Sequence, residues 1–115
     1  MDEKELHLYL DEVRRVPQVC GSADVERWRA VARGGSEAKL AQDRLIEANL
    51  GLAIAVAKKY VGRGLPLADL IEASNLGLLR AVERFDYRNG VPFSGYAAWW
   101  MRRDIESALQ RVQDQ

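Results

Sequence analysis

Apolar side chains recur every three or four positions along most of this chain, and glycine or proline interrupts the pattern at a few sharp points. That spacing is the signature of amphipathic helices, and no stretch shows the two-residue alternation of a half-buried strand. The expected fold is therefore all-α, a compact helical bundle of about five helices. Leu6, Leu8, Leu10, Val13 and Val16 form a first segment that stops at Pro17. Ser22 is placed to cap a second helix, carrying Val25, Trp28, Val31 and Ala32 and ended by Gly34-Gly35. Ser36 is placed to cap a long third helix. Its apolar stripes are Ala38, Ala41, Leu45, Leu52 and Val56, and beside them Ile46, Leu50, Ala53, Ala57 and Tyr60. So wide an apolar face suits the buried centre of a bundle.

Gly62-Arg63-Gly64-Leu65-Pro66 ends that helix. A fourth follows, with Leu67, Leu70, Ile71, Leu78, Ala81, Val82 and Phe85 on one face and Asp69, Glu72, Ala73, Leu76 and Arg80 on the other. A turn at Arg88-Asn89-Gly90-Val91-Pro92 leads to a fifth helix, capped by Ser94 and running to about Val112. Its core stripe is Ala97, Trp100 or Met101, Ile105, Ala108 or Leu109, and Val112.

Composition narrows the function. Seventeen basic residues balance seventeen acidic ones, which excludes a bulk polycation. Cys20 and His7 are each the sole residue of their kind, so a disulfide within the chain, a cysteine cluster for a metal and a conventional Ser-His-Asp triad are all excluded. The carboxylates fall on exposed helix faces beside basic residues, with no nucleophile and base set together, so neither an enzyme nor a cofactor is expected. The longest apolar run, Leu50 to Ala57, is far short of a membrane span, and the first residues lack a secretory signal. A cytoplasmic protein is the expectation.

The charge is unevenly placed. Residues 80–103 hold Arg80, Arg84, Arg88, Arg102 and Arg103 against Glu83 and Asp86, a local excess of +3. Six of the nine aromatics, Phe85, Tyr87, Phe93, Tyr96, Trp99 and Trp100, fall in the same stretch. Rings interleaved with guanidinium groups suit unpaired bases and their phosphates. The competing reading is that such rings simply fill a core. Helical spacing separates the two at Trp99: its neighbours are Tyr96, Arg102, Arg103 and, a turn further, Glu106, so it falls on the polar face. Trp100 remains divided between core and surface.

These residues carry a family resemblance. Asn49-Leu50-Gly51-Leu52-Ala53-Ile54-Ala55-Val56-Ala57-Lys58-Lys59-Tyr60 resembles the opening of region 2 of bacterial sigma-70 factors. Arg63-Gly64-Leu65-Pro66-Leu67-Ala68-Asp69-Leu70-Ile71 and Asn75-Leu76-Gly77-Leu78-Leu79-Arg80-Ala81-Val82-Glu83-Arg84-Phe85-Asp86 continue it in register. Phe93-Ser94-Gly95-Tyr96-Ala97-Ala98-Trp99-Trp100-Met101-Arg102 resembles the promoter-melting helix. Leu8-Tyr9-Leu10-Asp11-Glu12-Val13, with Arg15-Val16-Pro17, is similar to region 1.2. The resemblance thus divides the chain into a region 1.2-like segment, 1–33, and a region 2-like segment, 34–115, within one structural domain.

The resemblance implies two partners, core RNA polymerase and promoter DNA, with an anti-sigma factor as a further one. The polymerase contact would use Asp69, Leu70, Glu72, Ala73, Asn75, Leu76 and Leu79 against a coiled coil of the beta-prime subunit. The DNA contact would open the minus-ten element and capture flipped bases of the non-template strand. Tyr96 would stack at the point of opening, beside a pocket of Phe85, Asp86 and Phe93 for a flipped adenine. Trp99 and Trp100 would wedge against the last intact base pair, and Asn49 and Leu52 would lie near a second flipped base. Tyr87 adds a ring to this surface, and Arg80, Arg84, Arg88, Arg102 and Arg103 would meet phosphates.

The departures from the family pattern bear on function. Glu72-Ala73-Ser74 stands where Gln-Glu-Gly is common, in a segment expected to face the polymerase. Arg103 and Glu106 stand where primary members carry the Gln and Thr that read the upstream base pair; since Arg favours guanine and Glu favours cytosine, a changed promoter preference is expected. Val91-Pro92 removes a melting ring and a charge, and Gly95 loosens the first turn of the last helix. Nothing in the 115 residues resembles the later sigma domains, which leaves open both a piece of a longer factor and a stand-alone region 2 protein. A regulator or decoy keeping only the polymerase or only the DNA contact is the alternative reading.

Overall fold

The structure, a computed structural model, describes residues 22–89 and 91–114. Among the described residues are five α-helices, one 3-10 turn and no strand. They are α1 (Ser22–Arg33), α2 (Ser36–Ala48), α3 (Leu50–Lys58), α4 (Leu67–Arg84), the turn Tyr87–Asn89, and α5 (Phe93–Gln113). The expected first segment, with His7, Pro17 and Cys20, lies outside the described residues. No helix among the described residues is long and apolar enough to cross a membrane.

Local chemistry sets the breaks. Gly34 and Gly35 have φ of 77° and 83°, a left-handed conformation that residues with a Cβ resist, and they turn the chain between α1 and α2. Pro66 and Pro92 sit just before α4 and α5 in extended conformation, where a missing N–H leaves no helical bond unmade. Ser36 and Ser94 are not caps. Ser36 is the first helical residue and Ser94 the second of its helix, where it is buried, and neither α2 nor α5 has a side-chain cap.

The long third helix expected from periodicity is two helices. Asn49 leaves helical geometry, with φ −113° and ψ 8°, and its side-chain Nδ2 donates to the Leu45 carbonyl at 2.7 Å. A short amide that bonds the backbone in place of the ladder is enough to bend the chain there. The centre of the bundle also differs from expectation: α4 packs against α2, α3 and α5, whereas α2 leaves Leu40 exposed.

Leu45, Leu70, Leu78, Val82, Met101 and Ile105 are essentially inaccessible and form the heart of the core. The α4–α5 crossing is the tightest seam. A Cβ added at Gly77 would stand 2.5 Å from the Met101 Cα and 2.6 Å from its N, so only glycine lets the two backbones meet. One turn earlier on α4, the buried Ser74 hydroxyl donates to the Ala53 carbonyl at 2.7 Å and ties α3 to α4. The seam sets the rings at the start of α5 beside the C-terminal end of α4.

Candidate nucleic-acid interface

Six rings run in contact across the end of the bundle. Trp28 from α1 lies 4.9 Å from Phe85 and 5.0 Å from Phe93, centroid to centroid, and Phe85 and Phe93 are 5.1 Å apart. Tyr96 follows at 5.4 Å from Phe85, then Trp100 at 6.5 Å from Tyr96. Trp99 closes the series, 5.1 Å from Trp100 with its plane turned 88°. Tilted and edge-on pairs of this kind are the favoured geometry and hold each ring in place.

Exposure differs sharply along the series. Trp28 is buried; Phe85, Phe93 and Tyr96 are half-buried; Trp99 is 50% exposed. Trp99 therefore stands on the polar face, as its helical spacing predicts. Trp100 is only 8% exposed and its Nε1 has no hydrogen-bond partner, so it is mostly a core ring with an edge near the surface.

The five arginines do not form one patch. Arg103 places its Cζ 5.5 Å from the Trp99 centroid and 5.4 Å from that of Trp100, and Arg84 lies 4.8 Å over Trp100. Both are cation–π arrangements. Arg88 is clamped by Asp86: Arg88 N and Nε donate to Oδ1 at 3.0 Å each, and Nη2 to Oδ2 at 3.1 Å. Those bonds from Arg88 hold the Asp86 carboxyl below its ordinary pKa. Arg102 donates to Glu106 at 3.0 Å, and Glu106 also accepts from the Tyr60 hydroxyl at 3.3 Å. Burial raises the Tyr60 pKa, and the Glu106 carboxylate adds to it. Arg80 pairs with Asp104 of α5 on another face. So Arg84, Arg88 and Arg103 border the rings, while Arg80 meets Asp104 and Arg102 meets Glu106, and helical spacing alone does not say which acid each arginine meets.

Two further sequence assignments are corrected by burial. Leu52, expected beside a flipped base, is 2% exposed and belongs to the core; Asn49 next to it is half-buried on the Leu45 carbonyl. Leu70, expected on the polymerase face, is fully buried. Ser74, from the segment expected to face the polymerase, is the α3–α4 strut and equally inaccessible.

The remaining residues of that second face do come together. Asp69, Glu72, Ala73, Asn75, Leu76 and Leu79 line a groove of about 510 Å³ between α4 and α5, closed on the α5 side by Asp104, Ser107, Ala108 and Arg111. Leu76 and Leu79 are exposed there, in a groove that also holds Asp69, Glu72, Arg80 and Arg111. A second cavity, of about 410 Å³, lies at the ring end and is lined by Trp28, Val31, Ala32, Phe85, Asp86, Tyr87 and Arg88. Sequence reasoning placed Trp28 in a helix stripe and missed its place among the rings; only the packing of α1 on the end of α4 reveals it. Among the described residues no three His, Cys, Asp or Glu side chains converge to hold a metal ion.

The sequence has relatives. Residues 45–114 match the Sigma-70 region 2 family. A protein of Bacillus sp named RNA polymerase sigma factor SigA is 45% identical over 104 residues, and one of that name from Lactococcus lactis subsp. lactis is 40% identical over 104 residues. Each match takes in 90% of this chain and 27% of the relative, so the chain spans about a quarter of the length of these relatives. With the matched stretch running from the last turn of α2 through α5 and carrying five of the six rings and the α4 groove, the chain belongs to the sigma-70 region 2 family.

Proposed function

We propose that this chain is a non-enzymatic transcription-initiation domain that docks on core RNA polymerase and opens the promoter minus-ten element by taking up unstacked bases of the non-template strand. The observation that carries this reading is Trp99: half exposed on the polar face of α5, braced edge-on by Trp100 and stacked under Arg103. A large ring held in water by its neighbours is costly for a protein with nothing to place on it, and base–aromatic stacking recovers about 1–3 kcal/mol per base. Tyr96, Phe85 and Phe93 continue the surface inward, and Asp86 and Tyr87 border it. Trp100 acts as the brace behind Trp99.

Arg84, Arg88 and Arg103 supply the phosphate term. Arg103 is the residue for a guanine preference at the duplex edge, since stacking on two indoles leaves a planar fork fixed in direction. Glu106 is engaged by Arg102 and Tyr60 and is a weaker reader than its position suggests. The α4 groove, with Asp69, Glu72, Ala73, Asn75, Leu76 and Leu79, is the polymerase-docking surface, its exposed leucines set to pack on a helix of the beta-prime coiled coil. An anti-sigma factor would compete for the same leucines. Residues 1–33 form the region 1.2-like segment and 34–115 the region 2-like part.

Tryptophan fluorescence during titration with a single-stranded minus-ten oligonucleotide tests the DNA contact. Saturable, salt-sensitive quenching, lost in Tyr96→Ala, is expected; quenching that Tyr96→Ala leaves intact would contradict the ring assignment. Retention of the chain by core polymerase, abolished in Leu76→Ala/Leu79→Ala, is the expected result for the groove. Retention without oligonucleotide binding, or the reverse, would favour the one-contact regulator.

A further inference from the structure

The ring face does not hold all of the positive charge. Residues 48–68 carry Lys58, Lys59 and Arg63 and no acid, a second local excess of +3. In the turn after α3, Arg63 is exposed and its Cζ lies 5.1 Å from the centroid of the Tyr60 ring. Tyr60 is buried, and its hydroxyl donates to Glu106 Oε1 on α5 at 3.3 Å. Arg102 Nε donates to the same oxygen at 3.0 Å. These bonds tie the turn to α5 at a chosen height. Glu106 stands three residues beyond Arg103 and seven beyond Trp99, so all three share one stripe of the helix. Seven residues span about 10 Å along the axis.

The chemistry of this place differs from that of the rings. The turn Val61-Gly62-Arg63-Gly64-Leu65-Pro66 has no aromatic residue, and the Tyr60 ring is covered, so a base finds nothing to stack on. A guanidinium laid on a ring uses its flat face and keeps its N–H edge for an acceptor. Its direction is set before a ligand arrives. A fixed guanidinium in a basic segment without a ring surface suits backbone phosphates, which carry no base information. Along α5 the place lies past Arg103, on the far side from Tyr96. We propose that Arg63 binds a phosphate of the intact duplex next to the opened element, with Tyr60 as the positioning residue under it and Glu106 as the tie to α5. The proposal rests on the reading of the domain as a promoter-opening module. It adds a contact to double-stranded DNA from the α3–α4 turn. The 10 Å from Trp99 to Glu106 corresponds to about three phosphates along one strand of the duplex.

The test compares two probes: a single-stranded minus-ten oligonucleotide, and a fork in which the same strand continues into an upstream duplex. Thermal melting verifies that each variant folds. Wild type binds the fork more tightly than the single strand. Arg63→Gln loses most of that gain, and its slope of log affinity against log salt on the fork falls by about 0.9, the value for one duplex phosphate. Its affinity for the single strand is unchanged. Arg63→Lys restores the slope. A neutral methylphosphonate about three phosphates into the duplex removes the difference between wild type and Arg63→Gln. Tyr60→Phe keeps the ring and drops the bond to Glu106; it weakens the fork without changing the slope, as a positioning role requires. Fork affinity equal to wild type in Tyr60→Phe would remove that bond from the assignment. If Arg63→Gln weakens both probes equally, or neither, the proposal is overturned while single-strand binding stands. No binding of the single strand by wild type would overturn the underlying reading instead.

Discussion

The two faces of α4 treat exposed apolar surface in opposite ways. At its C-terminal end, aromatic rings in mutual contact lead from the buried Trp28 through the half-buried Phe85 and Tyr96 to the half-exposed Trp99 under Arg103. Along its middle, Leu76 and Leu79 stand exposed in a groove without a ring, flanked by Asp69, Glu72, Arg80 and Arg111. Stiff rings with cations suit flat ligands that carry phosphates, and flexible aliphatic side chains with flanking charges suit a protein helix. One short helical domain can thus carry two surfaces of different chemistry, provided one rigid seam sets the angle between them.

That seam is the place to break both faces at once. Gly77→Ala drives a methyl group into the Met101 backbone, and a loss of about 3 kcal/mol in denaturant unfolding is expected. A loss below about 1 kcal/mol would mean that the helices slide apart freely. The next effect separates ring from brace. Trp100→Ala, at a nearly buried site, lowers stability by about 3 kcal/mol. Trp99→Ala, at a half-exposed site, lowers it by about 1 kcal/mol or less and still abolishes oligonucleotide quenching.

Smaller effects sharpen the division. Asp104→Asn weakens the Arg80 pair on the groove side and costs about 1–2 kcal/mol, while oligonucleotide affinity stays unchanged. A large drop in that affinity would join the two faces. Arg84→Gln and Arg103→Gln each reduce the slope of log affinity against log salt by about 0.7, and Arg80→Gln leaves the slope as it was. The pH effect is smallest. Asp86 has a lowered pKa, so the stability of its clamp on Arg88 is present above the ordinary carboxylate range and lost only as pH falls through the lowered value. Oligonucleotide affinity is therefore flat from about pH 8 to about pH 5, and a step in that window that Asp86→Asn removes would place the Asp86 pKa too low.

What was legible in the sequence was what depends on near neighbours. Gly34-Gly35, Pro66 and Pro92 mark helix ends because backbone conformation is decided locally. Trp99 reads as surface because its i+4 neighbour is Arg103 and the helix there is regular. What was not legible depends on partners far along the chain. Ser74 is a strut only because the Ala53 carbonyl is opposite it, and Arg80 leaves the proposed DNA-facing set only because Asp104 crosses its path. Trp28 joins the rings through α1 packing on Phe85, which no spacing rule anticipates. The bend at Asn49 was hidden because the apolar stripes continue across it, and one side-chain bond to Leu45 decides the break.

Trp99 carries the account, and acrylamide quenching of tryptophan emission examines it most directly. The free chain should show a readily quenched component that is missing in Trp99→Phe, and a saturating single-stranded minus-ten oligonucleotide should shield that component. If acrylamide reaches it equally well with the oligonucleotide bound, the exposed indole receives no base, and the proposed mode of promoter opening is wrong.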